Sequence, residues 1–290
     1  MKNTILGRAD SYKYSHFMQY PEGIQNNSSY IESRGIDEDS LIPSDAEVVF
    51  FGLQMFIKKY LTTPITLADV DRAEAMITAH GEPFNRQGWI DVVNKFGGYL
   101  PIEITALPEG SVVPTKLPLV QAHALHDDFA WLASLAETSV LRGVWYPTTV
   151  ATLSREVKKI IKGYLDDTAD DEVIPGVLPF RLHDFGARGV SSAESAEIGG
   201  LAHLVNFMGT DTVEALFAAE EFYGVEGPAG FSIPASEHST ITSWGRENEF
   251  KAFENMIDKY GGEGALFACV SDSFNIYDAV TNGWGTDLKE

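Results

Sequence analysis

Val150, Leu153, Val157, Ile160, Ile161 and Tyr164 recur at helical spacing and predict an amphipathic helix over Thr148–Tyr164 with its stripe on a core. A helix is also expected over Phe129–Val144. Shorter apolar runs predict strands: Val48–Phe51, leading into a helix over Gly52–Leu61, and Ile102–Ala106 and Leu119–Ala124 on either side of the turn Leu107-Pro-Glu-Gly110. This first half therefore mixes strands and helices. The acidic run Asp166-Asp-Thr-Ala-Asp-Asp-Glu-Val-Ile-Pro-Gly176 follows and is expected to link two halves, 1–170 and 171–290.

Beyond it the pattern becomes strand, polar loop, helix, and it repeats. Val177–Leu182 reads as a short buried strand and Ala193–Phe207 as a helix, with strand ends near Asp184, Thr210-Asp211, Glu237-His238 and Ser271-Asp272. Their spacing is about 30 residues, the length of a βα unit, and no other sequence identity accompanies it. The expectation is an α/β protein: a mixed α+β N-terminal domain followed by four βα units of a barrel or an open sheet. Parallel strands with right-handed crossovers would then gather the strand-end loops at one site.

The first of these loops, within Phe180–Ser192, carries the densest chemistry. Gly186 and Gly189 permit close backbone approach and positive φ, Arg188 offers a forked cation, and the following helix points free N–H groups toward the loop. The turn suits an aromatic, phosphorylated ligand, although Arg188 could instead pair with a neighbouring carboxylate.

Composition narrows the class. A chain of 290 residues, 44% apolar, can bury a large core as one large domain or two ordinary ones. The net charge of -21 argues against a general nucleic-acid or anionic-membrane surface, so any phosphate site must be local. The single cysteine, Cys269, excludes an internal disulfide, and neither a long apolar signal region nor a span-length apolar stretch is present, which makes the cytoplasm the expected compartment.

Several ordered motifs resemble the nicotinamide phosphoribosyltransferase family over nearly the whole chain. They include Asp10-Ser-Tyr-Lys13, Phe51-Gly-Leu-Gln54, Trp145-Tyr-Pro147, His183-Asp-Phe-Gly186, Arg188-Gly-Val-Ser-Ser192, Gly209-Thr-Asp-Thr-Val213, Glu237-His-Ser-Thr240 and Val270-Ser-Asp-Ser273. The resemblance implies a phosphoribosyltransferase-type βα barrel, of which the four units are the first part. It also implies an enzyme joining nicotinamide to 5-phosphoribosyl 1-pyrophosphate, giving nicotinamide mononucleotide and pyrophosphate.

The same resemblance assigns roles. Phe185 would stack on the pyridine ring, with Tyr12 of a partner subunit in a homodimer covering the other face; aromatic faces suit a ring that becomes a pyridinium. Either aromatic could instead be core. Asp211 would accept the carboxamide N–H and disfavour nicotinate by charge, or it could cap the following helix. Arg188 and Arg34 would contact phosphate groups. His238, beside Asp272, would be phosphorylated from ATP in a coupled reaction, and a structural histidine is the plainer alternative. Mg2+ would accompany the pyrophosphate donor, with no ligands identified in this sequence. The family continues past the point matching Glu290 with further ribose- and phosphate-binding residues. Activity is therefore expected to need a complementing C-terminal half; a non-catalytic binding or regulatory module and a nicotinate phosphoribosyltransferase remain the alternatives.

Overall fold

In the computed structural model, which describes residues 4–25, 27–34 and 47–289, the first half forms around two antiparallel sheets and one very long helix. Strands β1 (Ser28–Glu32), β5 (Pro118–Ala124) and β3 (Ile102–Ala106) form one sheet in that order, and β2 (Glu47–Val49) pairs with β4 (Val112–Pro114). The β3–β5 register, Ile102 with Ala124 through Ala106 with Val120, fits the two strands read from the sequence. Helices α1 (Leu53–Tyr60), α2 (Leu67–His80) and α3 (Arg86–Phe96) cover this core. At its centre the fully buried Trp89 meets Trp131 edge-on, with ring centroids 5.0 Å apart.

The two helices expected on either side of Trp145-Tyr-Pro147 are one, α4 (Trp131–Thr168), with Pro147 inside it. Pro147 removes the N–H that would serve the Gly143 carbonyl, a loss of about 3 kcal/mol in an isolated helix interior. Packing offsets it. Gly52, at φ 107°, lies so close that a Cβ there would stand 2.2 Å from Pro147 Cγ and 2.6 Å from Gly143 O. Next to the proline, Thr148 Oγ1 accepts the Phe51 N–H at 3.2 Å, and about one turn on Thr152 Oγ1 accepts the Val49 N–H at 2.9 Å. The end of β2 is thereby satisfied by the helix that was expected as two.

A second correction concerns 166–182. The acidic run does not leave the helix at once, since Asp166–Thr168 completes α4, and Ile174–Val177 forms a helical turn, α5. The buried strand expected over Val177–Leu182 is absent: Leu178–Phe180 is a 3-10 turn and the strand β6 is only His183–Asp184. Pro175 and Pro179 fix φ and supply no N–H, which favours helical first turns over a ladder.

The βα alternation itself holds. After β6 come α6 (Ala193–Leu204), β7 (Gly209–Thr210), parallel to β6, and α7 (Val213–Tyr223). A cluster of Val49, Phe51, Met55 and Ala151 with Leu201, Ala202, Ala215 and Ala218 joins these helices to the first half, so residues 4–230 pack as one unit across the acidic run. The remaining unit, Phe231–Glu290, has its own small core of Ile241, Ala252, Phe253 and Ala279. Within it, an isolated parallel bridge between Ala235 and Ala268 takes the place of strands, accompanied by α8 (His238–Thr242), α9 (Glu249–Tyr260) and α10 (Ile276–Asp278).

Candidate functional site

Side chains alternate sides along a strand, so His183 and Phe185 face one way and Asp184 the other. The register pairs His183 with Gly209 and Asp184 with Thr210, and the Asp211 N–H donates to the Asp184 carbonyl at 2.6 Å. Asp211 consequently falls in line with His183, whose Nε2 lies 3.0 Å from Asp211 Oδ1. The His183 and Phe185 rings stack with centroids 6.2 Å apart and planes 30° apart. On the opposite side, Asp184 Oδ1 accepts the Gly186 N–H at 2.9 Å, and a Cβ at Gly200 of α6 would lie 3.4 Å from Asp184 Oδ2.

Small residues create this approach. Side chains at Gly199 and Gly200 would meet Tyr146 Oη and Ala215 Cβ, each at 2.6 Å, so the glycine pair lets α6 lie against α4 and α7. Buried His203 holds the Gly209 carbonyl through Nε2 at 2.9 Å and stacks on Phe207. Burial is the main force lowering the His203 pKa; the Gly209 hydrogen bond and the charge of Asp184 oppose it. Tyr146 is raised by burial and then by Asp184. A recess of about 250 Å³ opens among these groups, lined by Tyr146, His183, Asp184, Gly186, His203 and Thr212.

Asp211 is not the helix cap that its sequence position allowed. Thr212 occupies the N-cap of α7, its N–H bonded to Thr210 Oγ1 at 3.0 Å, and the Asp211 carboxylate turns to His183. Phe185 is 71% exposed, which removes core packing as its role. Arg188 sits exposed in the 3-10 turn Ala187–Gly189, and no salt bridge to it occurs among the described residues. The positive φ anticipated at Gly186 and Gly189 is not used. Gly186 adopts φ -86° and matters through proximity, since a Cβ there would come within 3.1 Å of Asp184 Oδ1, whereas Gly189 faces open space.

Tyr12 is also exposed, on a 3-10 helix over Ser11–Met18, with its ring 5.2 Å from His16. Arg34 is exposed just after β1. Neither lines the recess. A larger cavity of about 500 Å³ lies between α1, α4 and the start of α6, lined by Arg8, Lys59, Arg142, Trp145, Ser191 and Ser192. Phe185, Arg188 and Asp211 line neither cavity, but the smaller recess holds His183 and Asp184 at the same strand end, so size and convergent chemistry point to different places, and the chemistry is the better guide.

Within the second unit, the parallel bridge carries Ala268 N–H to Pro234 O and Ser236 N–H to Ala268 O, each at 3.0 Å. This pairing brings His238 Nε2 to 2.9 Å from Asp272 Oδ1. Both side chains are about two-thirds exposed, at 66% and 62%. Glu237 caps α8 with Thr240 answering in a reciprocal box, which fixes the backbone at His238. Among the described residues no group of three His, Cys, Asp or Glu could hold a metal ion. His183 is the residue that sequence reasoning missed, and the signal was its two-residue spacing from Phe185.

Two family models match the chain: the N-terminal domain of nicotinamide phosphoribosyltransferase over residues 4–104 and the nicotinate phosphoribosyltransferase family over 180–290. A nicotinamide phosphoribosyltransferase of Xanthomonas campestris pv. campestris is 51% identical over 288 residues, covering 99% of this chain and 59% of the relative. One from Acinetobacter baylyi is 32% identical, covering 98% of this chain and 57% of the relative. The chain thus spans less than two-thirds of the length of these relatives. Two solved structures share its fold: human nicotinic acid phosphoribosyltransferase (TM-score 0.53, 20% identity, 81% of this chain and 40% of that one) and nicotinate-nucleotide pyrophosphorylase from Pyrococcus furiosus (TM-score 0.56, 14% identity, 96% and 54%). No helix among the described residues is long and apolar enough to cross a membrane.

Proposed function

The chain matches nicotinamide phosphoribosyltransferases along nearly all of its own length, and from that match we propose that it serves the transfer of a 5-phosphoribosyl group to nicotinamide. The observation that carries the reading is the meeting of Phe185, His183 and Asp211 at the ends of β6 and β7. A flat ring lying on exposed Phe185 would bring a carboxamide to Asp211, whose oxygens accept N–H and repel a second carboxylate. The pyridine nitrogen then bonds to the ribose anomeric carbon as the bond to pyrophosphate breaks, and the electron pair leaves with pyrophosphate. The ring becomes cationic as it forms that bond, which an aromatic face favours. Positioning does most of the work in such a step.

Arg188 holds the 5'-phosphate in this reading, and Arg34 makes a further phosphate contact. Tyr12 of a second copy closes the ring site, which makes the working unit a homodimer. With Nε2 of His238 on Asp272, the remaining Nδ1 would take a phosphoryl group from ATP as ADP leaves. Among the described residues no group of three His, Cys, Asp or Glu fits a resident metal, and Mg2+ would enter only as counter-ion of the pyrophosphate donor. The cytoplasm is the compartment proposed for this NAD-precursor chemistry. Because the matched relatives extend beyond the shared part, turnover is assigned to this chain together with elements equivalent to their remaining portion, supplied if need be by a complementing polypeptide.

The nicotinate model over 180–290 favours one second reading, transfer to nicotinate. The test is product analysis with nicotinamide and nicotinate in competition, phosphoribosyl pyrophosphate, Mg2+, and a polypeptide equivalent to the remaining portion of the Xanthomonas relative. Nicotinamide mononucleotide should predominate. No product from a folded, soluble pair contradicts the proposal, and nicotinate mononucleotide as the main product selects the second reading.

A further inference from the structure

The cavity of about 500 Å³ between α1, α4 and the start of α6 takes no part in the pyridine chemistry, and its charge runs against that of the chain. The protein has 42 acidic and 21 basic residues, whereas the charged side chains lining this cavity are Arg8, Lys59 and Arg142 with one carboxylate, Glu194. Even with Glu197 counted against Lys59, its partner at 2.7 Å, the lining keeps a positive excess. A local excess of cations in an acidic molecule draws small anions to one place. The volume lies within the roughly 300–1,000 Å³ of small-molecule sites.

The walls are held by packing. A Cβ at Gly143 would stand 2.8 Å from Phe56, and one at Gly199 would stand 2.6 Å from Tyr146 Oη, so α1 and α6 each lie directly on α4. Across the gap, Lys59 pairs with Glu197 and the Tyr60 hydroxyl donates to Glu194, which ties α1 to α6. The Arg8 guanidinium lies 4.2 Å from the centre of the Tyr60 ring, and Ser139 Oγ donates to the Arg8 carbonyl at 2.6 Å.

Arg142 stands apart from the other two cations. It is exposed, makes no salt bridge among the described residues, and donates to the Arg8 carbonyl at a long 3.3 Å, which leaves most of its forked donors for an anion. Trp145 is three residues further along α4, on the same face, and lines the same cavity with its side chain 55% exposed. An open indole beside a guanidinium suits a ring that carries an anionic group. Ser191 and Ser192 add hydroxyl donors to the lining, which a phosphate uses better than a carboxylate because it offers more oxygens.

We propose that this cavity is a second small-molecule site, distinct from the strand-end site, and that it takes an aromatic phosphate, with Arg142 on the phosphate and Trp145 on the ring. The test uses the full chain at pH 8, with phenyl phosphate as probe and phenol and inorganic phosphate as its two halves, read by calorimetry. Phenyl phosphate should bind at least about tenfold more tightly than either half. Arg142→Gln should weaken its binding about tenfold, the scale of a hydrogen bond between charged groups, and Arg142→Lys should weaken it less. Trp145→Ala should weaken it roughly fivefold. Both side chains are exposed, so the thermal unfolding midpoint should not move in these variants. Phe185→Ala and Arg188→Gln, in the strand-end loop, should leave the affinity for the probe as it is. Absence of binding to the folded chain, or phenol binding as tightly as phenyl phosphate, overturns the proposal. Loss of binding with Phe185→Ala or Arg188→Gln and none with Arg142→Gln also overturns it, because the probe would then occupy the strand-end loop.

Discussion

The chain places a histidine against an aspartate at two strand ends, and the two settings differ. His183 and Asp211 stand between parallel strands backed by α6 and α7, beside a recess and over a buried histidine that holds the neighbouring carbonyl. His238 and Asp272 make nearly the same contact, 2.9 Å against 3.0 Å, but on an isolated bridge over a core of four buried apolar residues, with both side chains mostly in water. An exposed pair of this kind contributes about 0–1 kcal/mol to stability. Equal distances therefore do not mean equal work. The first pair is built into packing and suits recognition, which needs fixed geometry. The second is open to solvent and suits a nucleophile that must meet a large phosphorylated reactant and release it.

The sharpest way to break this contrast is to collapse the packing behind the first pair. Gly200→Leu would push a side chain into Ala215 and toward Asp184, with a cost of about 3 kcal/mol from overpacking. Thermal unfolding should show that loss together with lost nicotinamide binding. Next, Phe185→Ala should weaken nicotinamide binding roughly tenfold, by the ~1.4 kcal/mol of an aromatic contact, and leave the unfolding midpoint nearly unchanged because the ring is exposed. Binding unchanged by that substitution would remove the stacking role.

The third effect is smaller and concerns pH. His203 has a folded pKa below its ordinary 6.5, chiefly through burial, so the unfolded chain takes up a proton more readily. Its contribution to stability is complete above 6.5 and is lost as pH falls below that value toward the folded pKa. Melting curves from pH 8 to 5 should fall less steeply for His203→Gln, which keeps a donor for the Gly209 carbonyl; identical slopes would exclude this source. The smallest effect belongs to the second pair. His238→Ala should change unfolding free energy by less than about 0.5 kcal/mol while abolishing radiolabel transfer from ATP to the protein. A large stability loss would show that the exposed pair is structural after all.

Much of this was legible in the chain. Strand β5 and helix α1 announce themselves by period and composition, because local pattern and burial agree there, and β3 forms where its apolar run predicts. The stripe from Val150 to Tyr164 does form helix but does not face a core, since Leu153, Ile160 and Tyr164 are exposed and α4 buries Ala151, Thr152, Ser154 and Glu156 instead. Local rules failed where a distant partner decides. Two helices are expected on either side of Pro147 until Gly52 and the Phe51 and Val49 N–H groups, which Thr148 and Thr152 accept, are brought against α4 from nearly a hundred residues away. Val177–Leu182 is apolar enough for a strand, yet Pro175 and Pro179 turn it into helical turns. For the candidate site, the strand-end positions of Phe185, Arg188 and Asp211 and the pairing of His238 with Asp272 could be read from motifs. The link from His183 to Asp211 could not, since it exists only once the β6–β7 register is set.

The account turns on Asp211 reading the pyridine substituent, and the ratio of nicotinamide to nicotinate affinity before and after Asp211→Ser measures that directly. Removing the charge and leaving a small hydroxyl should shrink the preference for nicotinamide by about tenfold or more. A ratio that stays the same, in a variant that folds and binds, would contradict the assignment of this strand-end site.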